Sequence, residues 1–201
     1  MQISSGIAKG MKLSTPKSTK TRPTSAVLRE AMGNVFQGQL DGKKVLDLFA
    51  GTGAVGIELL SRGATEATFV ENDPECSKLL RENVNEFMRR ARQQSIDLLE
   101  PQTLARDVKK FLASSLSLSD KCFDIVWVDP PYSETITWGK LLSETNPSFI
   151  NPDGVMCLEM EKKSCIEVEK LFHDSLWQIQ KIRNYGRSAV MILDAKPKEN
   201  H

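Results

Sequence analysis

Asp129-Pro130-Pro131-Tyr132 stands directly after an apolar run, Phe123-Asp124-Ile125-Val126-Trp127-Val128, and its residue types could do chemistry. Two consecutive prolines fix an extended, rigid turn, because each lacks an N–H and restricts the residue before it. The carbonyl of Pro130 is thereby kept out of a helix, and the turn offers an aimed carboxylate, an aimed carbonyl and an aromatic face. An exocyclic amino group on a nucleobase needs that set. Its lone pair is delocalised into the ring, so two acceptors at its N–H protons help localise it toward an electrophile, while an aromatic ring stacks on the base. Asp129 and the Pro130 carbonyl would be the acceptors, Tyr132 the stacking surface. Standing alone, D-P-P-Y is more often a plain turn.

A second stretch, Val45 to Gly56, is an apolar strand that runs into a glycine-rich turn and then into a helix, the opening of a nucleotide-binding βαβ unit. Gly51, Gly53 and Gly56 spell G-x-G-x-x-G, which suits a dinucleotide pyrophosphate and the charged end of S-adenosylmethionine equally. Glu71, 20 positions beyond Gly51, ends the next expected strand, where a carboxylate can accept both hydroxyls of an adenosine ribose. Such a residue is commonly a helix cap, but Asp73 followed by Pro74 fills that job better. In an open parallel sheet the ligand sits beyond the carboxyl ends of the strands. Asp47 to Gly53, Glu71, Asp107 and Asp129 to Tyr132 all fall at such ends, although Asp107 before Val108 also suits a helix N-cap. Joined to the glycine turn and Glu71, D-P-P-Y points to transfer onto an amine. An NAD-dependent oxidoreductase fits the glycines but leaves D-P-P-Y unexplained.

Positioning these residues requires alternating strands and helices. The pattern predicts strands over 44–49, 67–70, 104–105, 123–128 and 155–159, with helices over 55–62, 74–88, 108–116, 138–144 and 166–171. A final hairpin is expected over 177–185 and 188–193, turning through Gly186. Such an order implies an α/β fold with a mainly parallel sheet and an antiparallel terminal strand. Ahead of the first strand, residues 2–13 with Gly6 and Gly10 suggest a small β-hairpin, and residues 14–20 a loop. Thr24 then caps a helix whose apolar positions run from Val27 to Phe36. Arg89, Arg90 and Arg92 close the long helix, where its dipole favours cations, so a structural or solvated role comes before RNA contact.

The length suits one α/β domain with a small appendage. Net charge is +1, but residues 1–30 carry Lys9, Lys12, Lys17, Lys20, Arg22 and Arg29 against Glu30 alone, leaving the remainder at −4. A basic arm of +5 on a mildly acidic body attracts phosphates, although a solvated tail fits the charge alone equally well. Cys76, Cys122, Cys157 and Cys165 form no C-x-x-C pair and only His173 and His201 could assist them, so reduced thiols and no metal are expected. No apolar run reaches the ~20 residues of a membrane span, nor does the start of the chain read as a secretory signal. A cytoplasmic protein is expected.

On these motifs the chain resembles class I S-adenosylmethionine-dependent methyltransferases acting on exocyclic amines, and more closely the RsmD family, which methylates the 2-amino group of a guanine in small-subunit ribosomal RNA. The resemblance rests on Gly6 to Leu13 with Lys9-Gly10, Arg22-Pro23-Thr24 with Arg29-Glu30, Leu46 to Gly56, Leu60 to Ala64, Val70-Glu71, Val128 to Tyr132 and Tyr185-Gly186. Gln2 stands where that family often has a basic residue, and residues 89–102 match weakly. The resemblance implies a Rossmann-like, seven-stranded mixed sheet over residues 39–195, a basic RNA-contacting hairpin and helix over 1–38, and a polar tail over 196–201. It implies that Asp47, Phe49, Ala50, Gly51, Thr52 and Gly53 hold the methionine portion of the cofactor, Glu71 its ribose, Asn72 the adenine surroundings and Asp107 the adenine amino group. Asp129 belongs to that set and also to the catalytic one, with Pro130, Pro131 and Tyr132. Lys9, Lys12, Arg22, Thr24, Arg29, Tyr185 and Arg187 would contact ribosomal RNA or a small-subunit particle, and the protein would act as a monomer. D-P-P-Y serves an adenine 6-amino group as well as a guanine 2-amino group, so the base stays open at this point. A non-catalytic RNA-binding module is the more remote alternative.

Overall fold

The computed structural model describes residues 1–16, 26–115 and 122–196. Its helices are α1 (Ala26–Val35), α2 (Ala54–Ser61), α3 (Pro74–Gln93), α4 (Val108–Ser115), α5 (Thr135–Glu144) and α6 (Cys165–Leu171). Its strands are β1 (Lys44–Leu48), β2 (Glu66–Glu71), β3 (Gln102–Ala105), β4 (Phe123–Val128), β5 (Ile150–Glu161), β6 (Trp177–Tyr185) and β7 (Ser188–Ala195). They form a seven-stranded sheet in the order β3-β2-β1-β4-β5-β7-β6. The β1–β2, β2–β3 and β4–β5 pairs are parallel, whereas β7 runs antiparallel to both β5 and β6. This is the mixed α/β sheet expected from the sequence. Chain contacts divide the molecule into two compact units, Met1–Ala113 and Ser114–His201.

In the first unit, β1 and β2 are buried along nearly their whole length, and α2 is buried at every position. A helix buried all round must satisfy its polar side chains internally. Glu58 and Ser61 do so with the N-terminal segment. Ser4 donates to Glu58 from N (2.8 Å) and from Oγ (2.6 Å), Ser61 Oγ donates to Ser5 O (2.6 Å), and Ala8 N donates to Ser61 Oγ (2.9 Å). The predicted hairpin over 2–13 is reduced to one antiparallel bridge, Gln2 to Lys12, closed by tight turns. Its stability comes from docking, with Ile3, Ala8, Met11 and Leu13 buried while Lys9 and Lys12 stay exposed. Gly6 is required at this approach, because a Cβ there would lie 1.7 Å from Ser61 O. Along α3, Asp73 caps the N-terminus by accepting from Cys76 N at 2.8 Å. Arg89 and Arg90 pair with Glu86 at 2.7 and 2.8 Å and Arg92 with Glu100 at 2.8 Å.

In the second unit, β4 has the expected bounds, while β5 is longer at both ends than the predicted 155–159. Pro152-Asp153-Gly154 is absorbed as an irregularity against β4, between the register pairs Phe123–Ile150 and Ile125–Val155. Trp177 anchors β6 by donating from Nε1 to Leu142 O (3.0 Å) and Thr145 O (3.1 Å), with Phe149 edge-on at 6.1 Å. Cys76 and Cys157 are buried and Cys122 and Cys165 half-buried, all as free thiols. Among the described residues, no helix is long and apolar enough to cross a membrane and no cluster suits a metal ion.

Candidate active site

The first unit supplies a cradle at the carboxyl ends of β1 to β3. As the chain leaves β1 it turns left-handed at Phe49 (φ 62°), Gly51 (φ 56°) and Gly53 (φ 82°). Such a backbone is strained at Phe49 and calls for glycine at the other two. The three motif glycines differ in what surrounds them. A Cβ at Gly53 would come within 2.5 Å of Leu80 Cδ1, and one at Gly56 within 2.3 Å of Phe69 Cε1 and 3.0 Å of Asp47 Oδ2, whereas one at Gly51 would meet nothing within 4 Å. Gly53 and Gly56 therefore serve close packing, and Gly51 faces open space.

Two carboxylates hold this turn by accepting its backbone N–H groups. Asp47, 1% exposed, accepts from Gly56 N at 2.9 Å. Glu71 Oε2 accepts from Gly51 N and Oε1 from Asp73 N, both at 2.7 Å. Burial pushes the Glu71 carboxyl up from its ordinary range, and these N–H donors oppose the shift. Ala50 and Thr52 are buried beside it, and Asn72 is exposed. Asp107 Oδ1 accepts from Lys110 N at 2.9 Å, so the N-cap of α4 anticipated for it is present.

Asn83 on α3 was invisible as a site residue in the sequence. Its Nδ2 donates to Thr52 O (2.9 Å) and Ser14 O (3.1 Å), and its Oδ1 accepts from Ser14 N (2.8 Å). One buried amide thus ties the glycine turn to the N-terminal segment. Only a buried polar residue on the apolar face of α3 hinted at it.

The second unit supplies the proline turn. Val128 is buried, Asp129 half-buried, Pro130 buried and Pro131 exposed. Pro131 is extended (φ −52°, ψ 135°), and its carbonyl accepts from Glu134 N at 2.8 Å as Tyr132–Glu134 forms a single 3-10 turn. Tyr132 is held by its hydroxyl, which donates to Glu159 Oε1 at 3.1 Å and lies 2.7 Å from Ser188 Oγ. Glu159, another residue the sequence reading passed over, is 4% exposed on β5. Burial first, then the neighbouring Asp129 carboxylate, push its carboxyl up to about 8. Half-buried Tyr185 and exposed Arg187 flank the β6–β7 turn that leads into Ser188, and Lys162 N donates to Arg187 O at 2.9 Å.

Within the expected RNA-facing set, Arg29 stands apart by its burial. This residue is 4% exposed, and burial lowers its guanidinium pKa, opposed by the nearby Glu58 charge. Its α1 neighbours Leu28 and Met32 are buried as well. Arg22 and Thr24 lie outside the described residues.

The family model described as Conserved hypothetical protein 95 matches residues 1–194, which takes in both turns and the N-terminal segment. The chain belongs to this family. By membership in it, the RsmD family, the protein is an S-adenosylmethionine-dependent methyltransferase. Members with which it can be aligned include the ribosomal RNA small subunit methyltransferases D of Buchnera aphidicola (29% identical, covering 84% of this chain and 82% of that one) and Haemophilus influenzae (29%, covering 81% and 79%). Among solved structures it is similar to a hypothetical protein of Thermus thermophilus, with TM-score 0.74 and 28% identity over 97% of this chain and 99% of that one.

Proposed function

We propose that this methyltransferase transfers a methyl group from S-adenosylmethionine to the exocyclic 2-amino group of a guanine in small-subunit ribosomal RNA. The observation that carries the reading is the proline turn, with a half-buried Asp129 beside a Tyr132 ring fixed through its hydroxyl. The ribosomal substrate follows from the names of the Buchnera and Haemophilus relatives.

The first unit fits the cofactor chemically. Open space beside Gly51 leaves room for the methionine portion, with Asp47, Phe49, Ala50, Thr52 and Gly53 around it. The Glu71 carboxylate keeps lone pairs for ribose hydroxyls beyond the two N–H groups it accepts. Asn72 and Asp107 would flank the adenine, Asp107 with the carboxylate oxygen not used as a cap. S-adenosylmethionine would supply a methyl carbon made electrophilic by its sulfonium, with the carbon–sulfur electron pair left on sulfur when the methyl group passes to nitrogen.

The protein's part is positioning. Tyr132 stacks on a base taken out of its own stack. Asp129 and the Pro130 carbonyl accept the two amine N–H protons, which turns the nitrogen lone pair toward the methyl group, and Pro131 keeps the turn extended. As the nitrogen gains a fourth bond it sheds one proton along the hydrogen bond to Asp129. Lys9, Lys12, Arg187 and Tyr185 hold flanking RNA by phosphate contact and stacking. The protein would act as a monomer in the cytoplasm on the RNA or an assembling particle. Labelled-methyl transfer to purified small-subunit RNA and particles, followed by nucleoside analysis, tests this. Label in 2-methylguanosine is expected, and label only in 6-methyladenosine overturns the choice of base.

A further inference from the structure

Tyr132, Asp129 and Ser188 all converge on one side chain that the reaction as described leaves idle. In the β4–β5 register Val128 is abreast of Leu158, which brings the next residues, Asp129 and Glu159, side by side on the same face. Glu159 Oε1 accepts from the Tyr132 hydroxyl at 3.1 Å, and that hydroxyl lies 2.7 Å from Ser188 Oγ. Glu159 Oε2 is buried and meets no donor. Its neighbour, the Asp129 carboxyl, lies within hydrogen-bonding reach. We infer that Glu159 is a positioning residue for methyl transfer, one buried carboxyl that ties Asp129 to the Tyr132 hydroxyl and so fixes both ends of the amine-recognising turn.

The chemistry of the pair makes this specific. Two facing carboxylates cannot hydrogen-bond to each other, since each only accepts, but one shared proton converts the contact into a strong, charge-assisted bond. The proton belongs on the more buried partner, where an uncompensated charge costs most. Glu159 is almost fully buried and Asp129 half-exposed, so Glu159 is the neutral acid and Asp129 keeps the negative charge. Glu159 then donates through Oε2 to Asp129 and accepts at Oε1 from Tyr132, and Asp129 keeps the negative charge that the amine requires. The groups facing Glu159 are the Asp129 carboxyl, the Tyr132 phenol and the Ser188 hydroxyl, with the buried Cys157 thiol on its own strand pushed up to about 12. The raised Glu159 carboxyl agrees with this arrangement. When the pair loses its shared proton, like charges replace the hydrogen bond and the turn loses its register.

This inference rests on the proposed transfer, and its test separates the two. Methyl transfer and cofactor affinity are measured against pH for wild type, Glu159→Gln and Glu159→Leu. Glutamine keeps a permanent donor for Asp129 and an acceptor for Tyr132, so its kcat stays within about threefold of wild type and the wild-type loss of activity above about pH 8 disappears. Leucine lowers kcat about a hundredfold with cofactor affinity unchanged. An alkaline limb unchanged by Glu159→Gln, or a folded Glu159→Leu with wild-type kcat, overturns the inference. Infrared difference spectra need no substrate and stay decisive if the leucine variant does not fold or the wild type methylates no guanine. A protonated-carboxyl band present in wild type at neutral pH and absent from Glu159→Gln is expected, and its absence from wild type overturns the assignment.

Discussion

The glycine turn and the proline turn solve the same mechanical problem with opposite means. The glycine turn is rich in backbone donors, and its rigidity comes from carboxylates that accept them, Asp47 from Gly56 N and Glu71 from Gly51 N. The proline turn has two residues without an N–H to be held by, and its anchor is a side-chain contact, Tyr132 to Glu159 and Ser188. A loop that wraps a ligand with its backbone must be locked from below by side chains. One that presents side chains to a ligand must be locked through those side chains, by residues distant in sequence.

The contrast can be broken most severely at Asp129. Asp129→Ala should cut methyl transfer by roughly a thousandfold with the circular-dichroism spectrum retained, because a transition-state acceptor is lost. Near-normal transfer would remove Asp129 from the mechanism. The glycine turn should fail through folding and cofactor affinity together. Gly53→Ala sets a methyl 2.5 Å from Leu80 at φ 82°, so destabilisation of about 2–4 kcal/mol in chemical denaturation is expected, with weakened S-adenosylhomocysteine binding in calorimetry.

Asn83→Ala removes the amide that joins Thr52 O to Ser14, and should cost about 1–3 kcal/mol and speed hydrogen exchange at the Ser14 amide. If exchange there is unchanged, the N-terminal segment is held independently of the glycine turn. Glu159 bears on stability as well as rate. With its folded carboxyl raised to about 8, the native state binds the extra proton above the ordinary carboxylate range, so the stability it supports is full at acid pH and is lost as pH rises through about 8. The melting temperature of Glu159→Gln should therefore gain on wild type between about pH 5 and pH 9. The smallest effect is expected at Arg89, whose exposed pairing with Glu86 is local to α3. Arg89→Ala should leave RNA affinity within about twofold in filter binding.

How far the sequence could be read follows from the same contrast. The glycine turn, Glu71 and the Asp73–Pro74 start of α3 were legible because each is written within a few residues of itself. D-P-P-Y was legible for the same reason, but its anchor was not. Glu159 sits 27 positions and Ser188 56 positions from Tyr132, and only strand register brings them to its hydroxyl. Charge at a basic chain start suggests exposure, whereas Arg29 on α1 is buried together with Leu28 and Met32. The hairpin over 2–13 shrank to one bridge, and polar groups of Ser4, Ser5 and Ala8 bond to Glu58 and Ser61 of α2 instead. Asn83 illustrates the general limit, since no local pattern distinguishes a buried clamp from a solvated amide.

The central claim is best tested in the cell. Nucleosides of small-subunit ribosomal RNA are quantified by mass spectrometry from cells lacking this protein and from the same cells supplied with wild type or Asp129→Ala. The account predicts that 2-methylguanosine falls on loss, returns with wild type and does not return with Asp129→Ala. Unchanged 2-methylguanosine, or a loss confined to 6-methyladenosine, would contradict it.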